Sequence, residues 1–325
     1  MSTQRQARSP KPIPDPLDPE ETLRIEGPWR PRLAIMAILA GVLPVIANVL
    51  QILATRDLPR EPKTIVSVPD ALTSYASGSQ GGGLHGFQAE QVAAYGDKAT
   101  LIVASSIVTA IGLLLAAPVL HGLLRGAYRR RPSFPKWFLW LPFIGVAVFA
   151  VGSSLGLSYR AIHMSDFAGL PLAEQTNHAA NDAFKSAGDD LGPLLAISGV
   201  AQMLFAVSIG AAGLSAMNVG LITRAMGIIG VILAVLVVIP LVDQQGFLRS
   251  FWFIAIGFLL LNRWPGGRPV AWGDGRPHPW PTRAEQMEAL ERAAAAKTNQ
   301  RSPAQDGDEP APTPKSSGNR RKRRK

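Results

Sequence analysis

Six long apolar stretches dominate the hydrophobic pattern of this chain, and none of them carries a charged residue in its middle. They are residues 33–55, 99–124, 137–159, 191–217, 222–241 and 247–264. A helix rises about 1.5 Å per residue, so a run of about 18 apolar residues can cross a hydrocarbon core of about 30 Å. The pattern predicts an all-α fold, a polytopic membrane helix bundle with six transmembrane helices. The sixth is the weakest, because its uninterrupted apolar run, 251–261, is short for a crossing.

Polar segments rich in proline, glycine and charge flank and separate these stretches. They divide the chain into a disordered cytoplasmic leader (1–30), a six-span bundle (31–264) with outer loops at 56–98 and 160–190, an interfacial strip with a short cytoplasmic helix (265–297), and a disordered basic tail (298–325). Repeated prolines deny the leader its helical hydrogen bonds. We expect a short helix in each outer loop, the first around Phe87 to Tyr95, and the two loops together form a small cap.

Lysine and arginine are distributed unequally between the two predicted sides of the membrane. With a cytoplasmic N-terminus and six crossings, 26 of the 33 Lys and Arg residues fall inside, whereas the 23 acidic residues divide 12 to 11. Basic residues in short loops set orientation and acidic residues contribute little. The net charge of +10 therefore reflects topology, and nucleic acid is not the expected partner. The sequence predicts a protein of the bacterial cell (inner) membrane with both termini in the cytoplasm.

A Trp-Gly-Arg-Pro pattern repeats every eight residues after the sixth stretch. Its tryptophans are Trp264, Trp272 and Trp280. Glycine and proline disfavour a helix there, and tryptophan and arginine favour the headgroup region, so we expect a ribbon against the inner interface. The alternative is a docking strip for a cytoplasmic protein. Thr282 and Glu285 then form a capping box, which predicts a soluble helix with Glu288 and Arg292 paired one turn apart.

The block GLSAMNVGLITRAMGIIGVI, followed by a short span and NRWPGGRPVAWGDGRPHPW, resembles segments of multi-pass membrane proteins of actinobacteria. That group is known only as a domain of unknown function, with a WPGGRP-type block after its last span. The resemblance covers the last two spans well and the earlier ones mostly by hydropathy. It implies a membrane location and a similar topology, and it assigns no activity and no functional residues.

Six polar residues lie at membrane depth. They are Asn48, Gln51, Ser105, Ser106, Thr109 and Gln202. They are candidates either for a polar path for a small neutral solute or for hydrogen bonds between helices, which are commoner and contribute about 0.6 kcal/mol each. No ionisable residue accompanies them, so we expect no proton-coupled transport. The chain has no cysteine, which excludes disulfides and thiolate chemistry.

One candidate metal site lies in the second outer loop. Glu174, His178 and Asp182 recur every four residues, so a helix would place them on one face, and His163 is a fourth candidate ligand. A histidine with two carboxylates and water can hold zinc. Alternating charges on a helix are more often a solvated face, and no cofactor is predicted.

Small residues recur along spans three to five. They are Gly152, Gly156, Gly199, Gly210, Gly213, Gly227 and Gly230. The first two surround Ser154 in a G-x-S-x-G pattern, but that nucleophile motif needs a strand-to-helix turn, which an apolar helix does not supply. We interpret the glycines as sites of close helix packing.

The last six residues of the chain are all basic. They are Arg320, Arg321, Lys322, Arg323, Arg324 and Lys325. Next to a membrane their nearest partner is an anionic lipid headgroup, at about 1 kcal/mol for each basic residue. Contact with RNA or the ribosome is the alternative.

These features leave the activity open. The leading hypothesis is a non-catalytic scaffold or regulatory protein that acts through its cap and tail on a protein partner. The alternatives are a passive transporter or channel for a small solute and a metal-dependent enzyme on the outer face.

Overall fold

A computed structural model describes residues 16–59, 69, 72, 73, 76, 87–239, 245–280 and 283–301 of the chain. Within this part the secondary structure is helical, and no strand occurs among the described residues. The chain divides into two compact units, one up to Trp280 and one from Pro281 onward. The predicted all-α class is therefore confirmed.

The first unit contains nine α-helices and one 3-10 helix among the described residues. They are α1 (Pro19–Glu26), α2 (Arg30–Thr55), α3 (Phe87–Gly96), α4 (Ala99–Arg130), the 3-10 helix (Lys136–Trp140), α5 (Leu141–Ala168), α6 (Asn177–Asn218), α7 (Arg224–Val238), α8 (Phe247–Leu260) and α9 (Ala271–Asp274). The second unit holds α10 (Arg283–Arg301), where the predicted contact of Glu288 with Arg292 is present at 2.5 Å. Its predicted cap, Thr282, lies outside the described residues.

Four helices are long and apolar enough to cross a membrane. They are α2, α4, α5 with the preceding 3-10 helix, and α6. Large aliphatic side chains on the outside of α2, such as Ile46, Val49 and Ile52, are about half exposed, as expected of a surface that faces lipid. Helices α7 and α8 have 15 and 14 residues. At the usual rise they are about 22 and 21 Å long, less than the hydrocarbon core of about 30 Å.

The six apolar helices follow one another around the bundle. Helix α2 packs between α8 and α4, and the series continues through α5, α6 and α7. Helices α7 and α8 touch and close it. The interior is filled by large side chains that are almost completely buried, among them Phe205, Trp252 and Ile256. The apolar residues of the predicted spans therefore supply both the core and the outer surface.

Glycine brings the helices close at several crossings. A Cβ added to Gly41 on α2 would lie 2.3 Å from the carbonyl oxygen of Ser250 on α8. The predicted packing role holds at Gly152, Gly210, Gly213, Gly227 and Gly230, whose added Cβ atoms would all meet a neighbouring helix within 3.2 Å. Gly156 makes only an ordinary contact at 3.9 Å. The prediction is wrong for Gly199, which has nothing within 4 Å.

A small cap lies at the end of the bundle where α5 ends and α6 begins. Helix α3 buries Ala89 and Val92 against Phe167 of α5 and Ala180 of α6. The helix predicted in the first outer loop is thus confirmed. The second outer loop, 160–190, also contains helix as predicted, because α5 continues to Ala168 and α6 already begins at Asn177.

Candidate functional site

The end of the leader forms helix α1, so the prediction of disorder is wrong for this part of it. Asp18 is the N-cap and accepts a hydrogen bond from the N–H of Glu20, and Pro19 occupies the first helical position. Thr22 and Glu26 are buried against the bundle. Asp18 and Pro19 are a helix start signal in the sequence, but the neighbouring prolines favoured the prediction of disorder.

Glu26 forms a two-point ion pair with Arg130 at the end of α4. Both Nη1–Oε1 and Nη2–Oε2 are 3.0 Å, and the side chains are 9% and 0% exposed. Arg130 also donates to the carbonyl oxygens of Gly126, at 3.0 Å, and Ala271, at 2.6 Å. One guanidinium therefore holds α1, α4 and the strip that follows α8.

The strip packs against protein at this point. Trp272 is 3% exposed, and its indole N–H donates to the carbonyl oxygen of Leu221 at 2.8 Å. The guanidinium of Arg130 lies over the indole ring, 5.5 Å from its centroid, and Arg30 donates to the Trp272 carbonyl oxygen at 3.0 Å. The expected ribbon on lipid is thus wrong for Trp272. Side-chain burial in the bundle end outweighed the headgroup preference of tryptophan.

The rest of the strip continues along the same end of the bundle. The N–H of His278 donates to the carbonyl oxygen of Val219, and the indole of Trp280 donates to that of Ile222. Burial raises the pKa of the Asp274 carboxyl, but hydrogen bonds from the Arg276 N–H and from His278 outweigh it, so this pKa lies below its usual range.

Gly275 lies where the strip passes α1. Its φ is +73°, and an added Cβ would be 2.4 Å from the carbonyl oxygen of Pro19. A side chain at this position would therefore be strained and would also collide with α1. The glycine of the repeat thus permits the strip to pack against α1.

A cleft of about 350 Å³ opens beside this contact, between α1 and α2 on one side and α4 and α5 on the other. Its walls are Ile25, Glu26, Trp29, Arg30, Leu33, Met36, Pro118, His121, Gly122, Arg125, Arg129, Phe143 and Trp272. Arg30, Arg125 and Arg129 contribute positive charge to this lining, and Leu33, Met36, Pro118 and Phe143 provide apolar walls. The cleft is thus amphipathic.

Positive charge exceeds negative charge in the lining of the cleft. Among the described residues, Glu26 is the one acid in the lining, and both of its oxygens already bind Arg130. Nη1 of Arg129 lies 3.5 Å from Oε1 of Glu26, farther away than Arg130. The Arg129 side chain is nevertheless nearly buried, at 9% exposed. A nearly buried guanidinium needs compensation by an anion or by hydrogen bonds. The arrangement is suited to binding a negatively charged group.

Aromatic side chains surround the mouth of the cleft. His121 donates from Nδ1 to the carbonyl oxygen of Leu139 at 2.7 Å, since a carbonyl can only accept, and its ring contacts Trp140 and Phe143. Trp29, which lines the cleft, and Trp140, which contacts His121, are each more than half exposed. Exposed tryptophans next to arginines are typical of the membrane interface.

Two of the predicted polar residues cap the far end of the α7–α8 pair. Gln202 donates to the carbonyl oxygen of Val237, and Asn48 donates to that of Gln245, both at 2.5 Å. Val237 is in the last turn of α7, where carbonyl groups have no partner within the helix. These amides therefore satisfy backbone groups at the ends of two short helices.

The other members of the polar set lie along α2 and α4. Ser105 and Thr109 donate to carbonyl oxygens one turn earlier in α4. Ser106 does the same and also contacts the hydroxyl of Ser158 on α5 at 2.8 Å. The side chain of Gln51 on α2 makes no described hydrogen bond, and the backbone carbonyl oxygen of this residue accepts one from the hydroxyl of Thr55. None of the six polar residues lines the cleft.

The structure does not bring the four candidate metal ligands together. Glu174 precedes α6, which begins at Asn177, so it does not share a helical face with His178 and Asp182. His178 contacts Asp182 at 2.8 Å on an exposed surface, and His163 packs against the ring of Tyr159. Among the described residues no group of three His, Cys, Asp or Glu side chains is placed to hold a metal.

The basic tail, Arg320 to Lys325, lies outside the described residues. Glu26 and the arginines around the cleft could not be recognised as a site from the sequence, in which the arginines indicate only orientation. The start signal of α1 could have indicated Glu26. No protein-family model matches this chain, and neither a curated protein nor a solved structure shows significant similarity to it.

Proposed function

We propose that this chain is a six-pass protein of a bacterial cell membrane, with both termini in the cytoplasm, and that it acts non-catalytically as a scaffold or regulator. Its working surface is the basic end of the bundle, where the strip is fixed, together with α10 and the tail, which follow the strip in the sequence. The positive-inside distribution of Lys and Arg supports this orientation.

The contact of Glu26, Arg130 and Ala271 is the observation that carries the proposal. Glu26 precedes the first long helix, Arg130 ends the second, and Ala271 follows α8. The chain therefore enters and leaves the bundle at the same end, as an even number of crossings requires. A fixed strip at that end is a suitable rigid surface for a partner, because a segment that is already ordered loses little conformational entropy on binding.

The two alternative functions have less support. The amides of Asn48 and Gln202 bind backbone carbonyls of the short helices, which favours a role as helix contacts over a solute path. The outer histidines and carboxylates are separated or exposed, so a catalytic metal there has no assembled ligand set among the described residues.

The absence of native cysteine allows a direct test of the topology. We expect single cysteines at Ser186 and Gln245 to react with a membrane-impermeant maleimide in intact cells. A cysteine at Ser133 should react only after permeabilisation. Labelling of Ser133→Cys from outside would reverse the orientation. Labelling of Ser186→Cys but not of Gln245→Cys would mean four crossings and a re-entrant α7–α8 pair.

The scaffold role is tested by cross-linking in cells. The full chain and a chain that ends at Trp280 should insert equally, but the shorter chain should lose the proteins that cross-link to the full one. An unchanged set of partners after truncation would contradict a role for α10 and the tail. Flux of a small solute through liposomes with the purified protein would favour the transporter instead.

A further inference from the structure

We propose that the cleft between α1–α2 and α4–α5 binds one anionic phospholipid. The arginines hold its phosphate, and the apolar walls contact its acyl chains. This site is separate from the basic tail and does not depend on the scaffold role proposed above.

The charge of the lining identifies the ligand as an anion. Arg30, Arg125 and Arg129 line the cleft, and Glu26, the one acid among the described lining residues, is engaged by Arg130 on both oxygens. Arg125 is exposed and free to approach a ligand, whereas Arg129 is almost buried beside it. Guanidinium groups bind phosphate oxygens through paired hydrogen bonds, which makes them the preferred side chains for this group.

The apolar part of the lining indicates that the anion belongs to an amphiphile. Besides the arginines, the lining includes apolar side chains, among them Leu33 and Met36 of α2, Pro118 of α4 and Phe143 of α5. A soluble phosphate would leave these walls in contact with water, whereas an acyl chain would bury them, and burial of apolar surface is favourable. The volume of about 350 Å³ accommodates the phosphate headgroup and the first part of a chain, so the rest of the lipid lies outside the cleft.

The position of the cleft supplies such a ligand from the bilayer. Exposed Trp29 and Trp140 mark the level of the headgroups, and Met36 lies farther along α2, toward the apolar part of the bundle. The basic tail of the chain itself is a poor occupant, because it has the same charge sign as the arginines. An anionic lipid of the adjoining leaflet matches the cleft in both charge and polarity, and with the orientation proposed above this is the inner leaflet.

Native mass spectrometry of the full chain, released from detergent with added phosphatidylglycerol or phosphatidylcholine, tests the proposal. We expect one phosphatidylglycerol per chain to remain bound at high salt, where weak contacts with the tail are screened. Phosphatidylcholine should bind much more weakly. Loss of Arg125 in Arg125→Gln should weaken phosphatidylglycerol binding about fivefold, the effect of one basic residue near an anionic group.

Two pairs of variants separate the cleft from the general basic surface. Arg131→Gln is the control for charge, because Arg131 is exposed next to α4 but does not line the cleft. Met36→Trp should fill the apolar part of the cleft and weaken lipid binding, whereas Met203→Trp, on the exposed surface of α6, should not. Thermal unfolding of each variant verifies that it is folded.

Equal effects of Arg125→Gln and Arg131→Gln would overturn the proposal, as would equal binding of the two lipids. Glycerol 3-phosphate separates a lipid from a soluble phosphate. If it displaced phosphatidylglycerol at similar concentrations and Met36→Trp had no effect, the site would bind soluble phosphate and the lipid assignment would be wrong.

Discussion

Arg130 binds Glu26 by two parallel hydrogen bonds of 3.0 Å, although the two residues are 104 positions apart in the chain. Both side chains are almost completely buried. Removing two charges from water costs several kcal/mol per ion, which their attraction repays only with good geometry and further hydrogen bonds. Arg130 has these from Gly126 and Ala271. The main effect of the ion pair is therefore to determine that α1, α4 and the strip meet, and its net contribution to the free energy of unfolding is small.

Substitution of Glu26 should strongly destabilise the basic end of the bundle. Glu26→Gln leaves the guanidinium of Arg130 buried without its counter-ion, which typically costs about 3–5 kcal/mol. We expect a lower midpoint of thermal unfolding in detergent and faster proteolysis of the strip. Glu21→Gln is the matched control, since Glu21 is exposed on the same helix. Equal midpoints for the two variants would contradict a structural role of the ion pair.

Glycine at position 41 should be required for the α2–α8 contact. In Gly41→Ala the new Cβ would lie 2.3 Å from the Ser250 carbonyl oxygen, so the helices must separate, at a cost of about 1–3 kcal/mol. Gly199→Ala, in open space on α6, should be neutral or stabilising by up to about 1 kcal/mol. Denaturation in mixed micelles measures both. A similar loss in the two variants would mean that glycine content alone, and not this crossing, determines stability.

Gln202 should matter for folding more than Gln51 does. Gln202→Met leaves the Val237 carbonyl oxygen without its donor, which costs about 1–3 kcal/mol when the group is buried. Gln51→Met, the control, removes an amide of similar size that has no described side-chain hydrogen bond. Unfolding midpoints should fall only for the first. If both variants instead kept their stability and reduced solute flux in liposomes, the solute-path hypothesis would take precedence.

The apolar helices could be predicted from the sequence, because hydrophobicity over about 20 residues is a local property. Helix α3 and the Glu288–Arg292 contact of α10 were predictable for the same reason, since their signals lie within a few turns. The exact lengths of α7 and α8 were not, because the apolar runs continue beyond the last helical hydrogen bonds. Apolar composition does not reveal where a helix ends.

The candidate site was mostly beyond prediction, because it depends on contacts between distant segments. Arg129 and Arg130 stand out in the sequence as an orientation signal, but nothing local shows that Glu26 lies beside them. Trp272 belongs to a repeat whose composition suits a membrane surface, and only the position of the Leu221 carbonyl explains its burial. The open surroundings of Gly199 likewise depend on how α6 is rotated against its neighbours.

The basic tail should bind anionic lipid through charge alone. Its last six residues are all basic, and attraction to an anionic surface decays within a Debye length of about 8 Å at physiological salt. A chain that ends at Asn319 should therefore bind vesicles containing phosphatidylglycerol less tightly than the full chain. The difference should disappear at high salt or with neutral vesicles, while the cleft-bound lipid stays in both chains. If a peptide of residues 315–325 ignored anionic vesicles but bound ribosomes or RNA, the partner of the tail would be a nucleic acid.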